Sequence, residues 1–196
     1  MSLRERKRTR TRQALIEAAA ELFEHRGYDG TTIADIAAAA GISTRTFFAY
    51  FASKEDVLFP DAEARVQVAL TAIEQRRPGE RPTEVLVRAL SEVGDAGDDM
   101  VGRMAALRLR LIRSVPAVRG RGLQLQYDAQ AEIAQRLRAA FPDELDEVES
   151  AALVGAFVGA VGGALVVVLR EGPGVDRDAL RERLQRATAA ALRSWA

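Results

Sequence analysis

Residues 31–51 read TTIADIAAAAGISTRTFFAYF. This stretch holds two short helices and the turn between them. Thr31 and Thr32 are candidate N-caps, and Asp35, three residues after Thr32, completes the pattern of a capping box. Ile33, Ile36 and Ala37 or Ala40 give a helix over 33–40 one apolar side. Gly41 permits a sharp turn, and Ile42 plugs the angle between the helices. Ser43 then caps a second helix, from Thr44 to Tyr50 or Phe51. The alanines let the two helices cross closely. Ser43, Thr44, Arg45 and Thr46 crowd the N-terminal end of the second helix. This is the sequence form of a helix-turn-helix, whose second helix meets the major groove of DNA through its N-terminal residues. Arg45 suits guanine O6 and N7, and the threonines suit a phosphate or a thymine methyl group.

The flanks extend this reading. A helix is expected from about Thr9–Thr11 to Arg26, with Leu15, Ala19, Leu22 and Phe23 as its apolar stripe and Gly27 as its cap. Residues 1–12 hold six basic side chains against one acidic, Glu5. Such an arm follows a DNA backbone or minor groove, or else is a disordered tail. Phe47 and Phe51, four apart, belong to the core. The Tyr50 hydroxyl and Lys54 suit phosphates. Ser53 and Asp56 begin a fourth helix. Pro60 lacks the N–H that this helix would need two turns in, so a break is expected near Phe59–Pro60, with a restart at Asp61.

Beyond residue 60, helical periods continue and strand signals are almost absent. Pro78–Pro82 is a linker, and Thr83 opens a helix to about Val93, followed by a turn at 94–97. The next helix begins near Asp98 and carries Met100, Met104, Leu107 and Leu111 to a stop at Val115–Pro116. Gly120 and Gly122 weaken the following turn before a helix marked by Leu123, Tyr127, Ala134, Leu137 and Phe141. Gly172-Pro173-Gly174 is a strong breaker, and Asp176 caps a last helix. The expected fold is all-α, with about nine helices.

Composition bounds the chemistry. The 196 residues include no cysteine and one histidine, His25. A disulfide framework, thiolate metal site and cysteine nucleophile are excluded. No P-loop, strand-linked GxGxxG, HExxH or G-x-S-x-G occurs, so neither an enzyme nor a cofactor is expected. The N-terminus lacks the form of a signal peptide, and a cytoplasmic protein is expected. The 28 basic and 28 acidic residues sum to zero. That sum does not exclude DNA, because it hides the basic first twelve residues.

Residues 151–169, AALVGAFVGAVGGALVVVL, carry no charge. That length could span a membrane, and Gly155, Gly159 and Gly163 repeat every four residues. A buried helix with one smooth and one bulky side is the preferred reading. There is no second span, and the acidic segment Asp143–Glu149 precedes it. The alternative functions are a helical enzyme or a membrane-associated adaptor using this helix.

Residues 9–59 resemble the DNA-binding domain of the TetR family of bacterial transcriptional regulators. The resemblance rests on Ala18, Leu22, Phe23, Gly27, Tyr28, Thr31, Thr32, Ile36, Ala37, Ala40, Gly41, Ile42, Ser43, Phe47, Tyr50, Phe51, Ser53, Lys54 and Leu58. It implies a three-helix DNA-binding domain over 1–59 and a helical ligand-binding and dimerisation domain over 60–196. It also implies a homodimer on a DNA operator, repressing until a small-molecule effector binds. The implied DNA contacts are Thr31, Thr32, Ser43, Thr44, Arg45, Thr46, Tyr50 and Lys54. Candidate pocket residues are Met100, Met104, Leu107, Tyr127, Phe157 and Val161. The implied dimer interface takes Val154, Val158, Gly159, Leu184, Ala191 and Trp195. Phe48 departs from a common tyrosine, Ala49 from a larger residue and Arg45 from a frequent glycine. The runs TRTFF (44–48) and RLRLIRSVPAVR (108–119) resemble an actinobacterial branch that includes the mycofactocin regulator, with which fatty acyl-CoA ligands are associated.

Overall fold

The computed structural model describes residues 2–96, 102–171 and 177–195. Met100, Asp98, Gly172-Pro173-Gly174 and Asp176, named above, lie outside these. Among the described residues are nine α-helices: α1 Leu3–Arg26, α2 Ile33–Ala39, α3 Thr44–Phe47, α4 Ala62–Glu74, α5 Pro82–Ala96, α6 Arg103–Ser114, α7 Pro116–Ala140, α8 Glu147–Arg170 and α9 Arg177–Ala191. The chain divides into two compact units, residues 1–60 with 107–122, and residues 61–106 with 123–196. The first therefore takes in a segment that the sequence reading placed in 60–196.

In the first unit, α1 buries Leu15, Ile16, Ala18, Ala19, Ala20 and Phe23. It begins at Leu3 rather than Thr9–Thr11, because Ser2 and Glu5 form a capping box. The basic segment is thus helical, not a loose arm or tail. The helix after Ser43 is shorter than its sequence pattern: α3 ends at Phe47, and residues 48–50 form turns. A 3-10 turn at Asp56–Leu58 replaces the first half of the expected fourth helix, which breaks at Phe59–Pro60 as proline requires. Residues 107–122 clasp this turn. Arg121 Nε donates to Asp56 Oδ1 at 2.6 Å, and Arg108 Nη1 donates to Leu58 O at 3.1 Å. Gly122 does not weaken a turn. It lies inside α7, where an added Cβ would sit 3.2 Å from Phe59 Cζ. Its missing side chain makes room for the ring.

The second unit has its own core. Leu70, Ile73, Val85, Leu86, Ile133, Leu137, Phe141, Leu153, Val154, Phe157 and Leu192 pack together. A smaller cluster joins Val168, Leu180 and Leu184. Helix α5 runs through Gly94 to Ala96, where a turn was expected. Asp146 and Glu149 form a capping box that fixes the start of α8. By length and composition alone α8 could cross a membrane. One side of it, Leu153, Val154 and Phe157, is instead committed to the core.

Candidate nucleic-acid interface

The turn between α2 and α3 is built by short-range bonds. Thr32 Oγ1 accepts from the Asp35 amide at 3.1 Å, and the Asp35 carboxylate accepts from the Thr32 amide at 2.8 Å. These Thr32 bonds, with Arg26 adding attraction, hold the Asp35 carboxyl below its usual range. Gly41 has φ +69°, a left-handed backbone that glycine adopts without strain. The Ile42 amide then turns back to Ala37 O at 2.9 Å. Ser43 Oγ accepts from the Thr46 amide at 3.1 Å and lies 2.8 Å from Thr46 Oγ1. Gly41→Ala should cost about 1–3 kcal/mol through backbone strain alone, since open space surrounds its Cβ position. A thermal melt of the variant followed by circular dichroism measures this.

Behind the turn, Ile36, Ala37, Phe47 and Phe51 are buried. Phe47 meets Phe48 edge-on at 5.6 Å and Phe51 at 5.9 Å. With Phe47 anchored inward, the helical period turns the rest of α3 outward. Ser43, Thr44, Arg45, Phe48 and Ala49 are exposed, and Thr46 and Tyr50 are half-exposed. Among the described residues, none bonds to or pairs with the Arg45 guanidinium. It is an open five-donor fork on the outer face of a short helix.

Two of the expected DNA contacts make hydrogen bonds inside the first unit. Thr31 is 1% exposed. Its hydroxyl donates to Gly27 O at 2.8 Å and Leu22 O at 3.3 Å, closing the carbonyl end of α1. Thr31 is thus an internal tie, because a free carbonyl end at α1 is the nearer need. Lys54 donates to Tyr28 O and Thr31 O, each at 2.9 Å. The Tyr28 hydroxyl donates to the Glu55 carboxylate. Burial first, and then Glu55, push the Tyr28 hydroxyl pKa upward. For Glu55, burial opposes ionisation. Hydrogen bonds from Tyr28, its own amide and Ser53, with the Lys54 charge, outweigh it and hold the carboxyl below the usual range. In the basic segment, Arg12 is also engaged: it donates to Pro60 O and stacks 5.4 Å from the Phe51 ring centre. Arg4, Arg6, Lys7, Arg8 and Arg10 remain exposed on α1.

The candidate pocket residues are divided between the two units. Met100 lies outside the described residues, and Leu107 belongs to the first unit while Met104, Tyr127, Phe157 and Val161 belong to the second. Met104, Leu107 and Phe157 are buried, but Tyr127 is 73% exposed on α7. Its spacing fits an apolar stripe, yet a phenol tolerates water at its tip. A groove of about 840 Å³ in the second unit, edged by Arg77, Glu80, Thr83, Val87, Arg88 and Leu192, uses none of these residues. No short motif marks it, because two stretches about a hundred residues apart, 77–91 and 189–193, form it. Of the implied dimer residues, Val154 and Leu184 are spent on the unit's own cores. Val158 and Trp195 are partly buried against the core, and Gly159 and Ala191 are exposed.

A short helix with an exposed polar row, set across a close helix by a left-handed glycine, defines a helix-turn-helix protein with an added helical unit. Comparison with known proteins agrees. The pattern of bacterial regulatory proteins of the tetR family matches residues 15–59. The chain is 35% identical to the HTH-type transcriptional regulator TcmR of Streptomyces glaucescens over 150 residues, covering 74% of this chain and 66% of that one. It is 38% identical over 74 residues to MftR of Mycobacterium tuberculosis, a regulator named for mycofactocin biosynthesis, covering 36% and 37% of the two chains. The matches thus span less than two thirds of these relatives' lengths. Among solved structures, Thermus thermophilus FadR, a TetR family repressor in complex with lauroyl-CoA, superposes with TM-score 0.55 over 92% of this chain and 93% of that one, at 24% identity. The chain belongs to the TetR family of bacterial transcriptional regulators.

Proposed function

We propose that this chain is a cytoplasmic, ligand-responsive and sequence-specific DNA-binding repressor. It sits on a palindromic operator as a homodimer and leaves when a small apolar or acyl-type ligand binds. The observation that carries the reading is the outward row of Ser43, Thr44 and Arg45, with a guanidinium that no described residue engages, on a helix anchored by buried Phe47. Thr32, Thr46 and Tyr50 flank that row, and the exposed cations of early α1 supply phosphate contacts. Two copies would read half-sites about 34–36 Å apart, or a multiple of that spacing. A genomic fragment library should yield a few fragments retarded by the protein. Arg45→Ala should weaken binding by about 1–3 kcal/mol and relax preference at one base pair. Uniform retardation of all fragments, or none, defeats the reading.

The ligand class is supported by the fold shared with FadR, whose structure holds lauroyl-CoA. Lauroyl-CoA is therefore the first probe. At about 100 times its Kd a ligand adds about 2.7 kcal/mol to stability, a clear rise in melting temperature. It should also release the retarded fragment. No rise with any chain length of acyl-CoA removes this ligand class and leaves DNA binding standing.

The dimer reading rests on α8 and α9. Gly155, Gly159, Gly162 and Gly163 have nothing within 4 Å of an added Cβ, so no contact among the described residues requires them. Each costs about 1 kcal/mol relative to alanine in a helix. Close approach of a second copy would account for them, across Gly159, Val158 and Ala191. Gly159→Arg should turn a sedimenting dimer into a monomer. A dimer that persists in that variant counts against this face.

A further inference from the structure

Lys54 is one of two lysines in the chain, and its ammonium is spent inside the first unit. An ammonium has three N–H donors. Two reach Tyr28 O and Thr31 O at 2.9 Å. Nζ also lies 3.8 Å from the centre of the Tyr28 ring, whose face attracts a cation. The hydrogen bond from the Tyr28 hydroxyl to Glu55 enriches that ring and sets an anion beside the lysine. Thr31 is tied at its other end to Gly27 O. One side chain beyond α3 thereby pins residues 28–31, the segment that leads into α2. The start of α2 in turn fixes the crossing that presents Arg45.

We infer that Lys54 is a positioning residue for DNA recognition: it holds the 28–31 segment, and through it α2 and α3, instead of lending its charge to a phosphate. The inference rests on the DNA-binding reading above. It differs from a phosphate contact in what survives a change of side chain. A phosphate contact tolerates Lys54→Arg, which keeps the charge. A three-acceptor seat does not, because a planar guanidinium cannot direct donors to two carbonyls while its centre occupies the same point over the ring.

The test uses full-length Lys54→Met and Lys54→Arg with the genomic fragment that the wild type retards. Both variants should lose affinity by about tenfold or more, because loosened support misplaces the reading side chains. The slope of log affinity against log salt should stay that of the wild type. Amide hydrogen exchange at Ile33–Ala37 should quicken, while Leu15–Phe23 of α1 keep their protection. Wild-type affinity in Lys54→Arg, with a salt slope reduced by about 0.9 in Lys54→Met, would make Lys54 a phosphate contact and overturn the inference. Faster exchange across α1 as well would reduce its role to general stability and also overturn it. If the wild type retards no fragment selectively, the DNA reading falls. The exchange comparison still decides whether Lys54 anchors α2.

Discussion

Phe47→Ala is expected to destabilise the first unit by about 3–5 kcal/mol and to abolish selective DNA retardation. The Phe47 ring is fully buried and packs against Phe48 and Phe51. Its helix has only four residues, far too few to hold themselves in helical form. The position of α3 therefore depends on this buried anchor more than on its own hydrogen bonds. Phe48→Ala is the control. Phe48 is 56% exposed, and its loss should change stability by about 0.5 kcal/mol or less. Urea denaturation followed by circular dichroism compares the two. Equal losses would mean that the Phe47 site collapses around the smaller side chain, and that α3 is held from elsewhere.

Arg88→Ala should cost about 1–3 kcal/mol in the second unit, because it leaves a half-buried carboxylate without its hydrogen-bond partner. Arg88 Nε and Nη2 donate to the two oxygens of Glu80 at 2.7 and 2.9 Å. Nη1 donates to Glu92 at 2.9 Å, and Nη2 also reaches Ala72 O at 2.9 Å. The Glu80 side chain is only 9% exposed and the Arg88 side chain 15%. The hydrogen bonds from Arg88, assisted by the Arg77 amide and opposed by burial, hold the Glu80 carboxyl at about 2. A carboxyl depressed from about 4.5 to about 2 contributes stability that is present in full above pH 4.5. The contribution fades as pH falls from 4.5 toward 2. Between pH 7 and pH 3, wild type should lose stability that Glu80→Gln has already lost at both. A wild-type melting temperature no more acid-sensitive than that of Glu80→Gln would show that the pair contributes nothing net.

The helix-turn-helix could be read because its determinants lie three or four residues apart. Thr32 with Asp35, Ser43 with Thr46, and the turn at Gly41 all act within one helical turn, so spacing alone reveals them. The end of α3 was misjudged because periodicity continues past Phe47 while the backbone does not. The internal hydrogen bonds of Thr31 and Lys54 are not legible in the motif, because residue type does not tell which way a hydroxyl or ammonium turns. Of the Arg88 clasp, only the Glu92 pair, four residues on, has a local spacing; the bonds to Glu80 and Ala72 and the groove beside them do not. The clasp joins α4, the Pro78–Pro82 turn and α5, and the groove adds residues 189–193 at the end of α9.

The sequence by itself determined the all-α class, the reading turn and the family, because caps, a left-handed glycine and apolar periods are local properties of a chain. It also showed that a net charge of zero conceals a basic first twelve residues. Only the tertiary structure decided which cations are free. Lys54 meets Tyr28 across 26 residues, Arg12 meets Pro60 across 48, and Arg121 meets Asp56 across 65. Each is drawn inward by a carbonyl or carboxylate that no sequence spacing places beside it. Arg45 stays outward because Phe47, two residues on, fills the core.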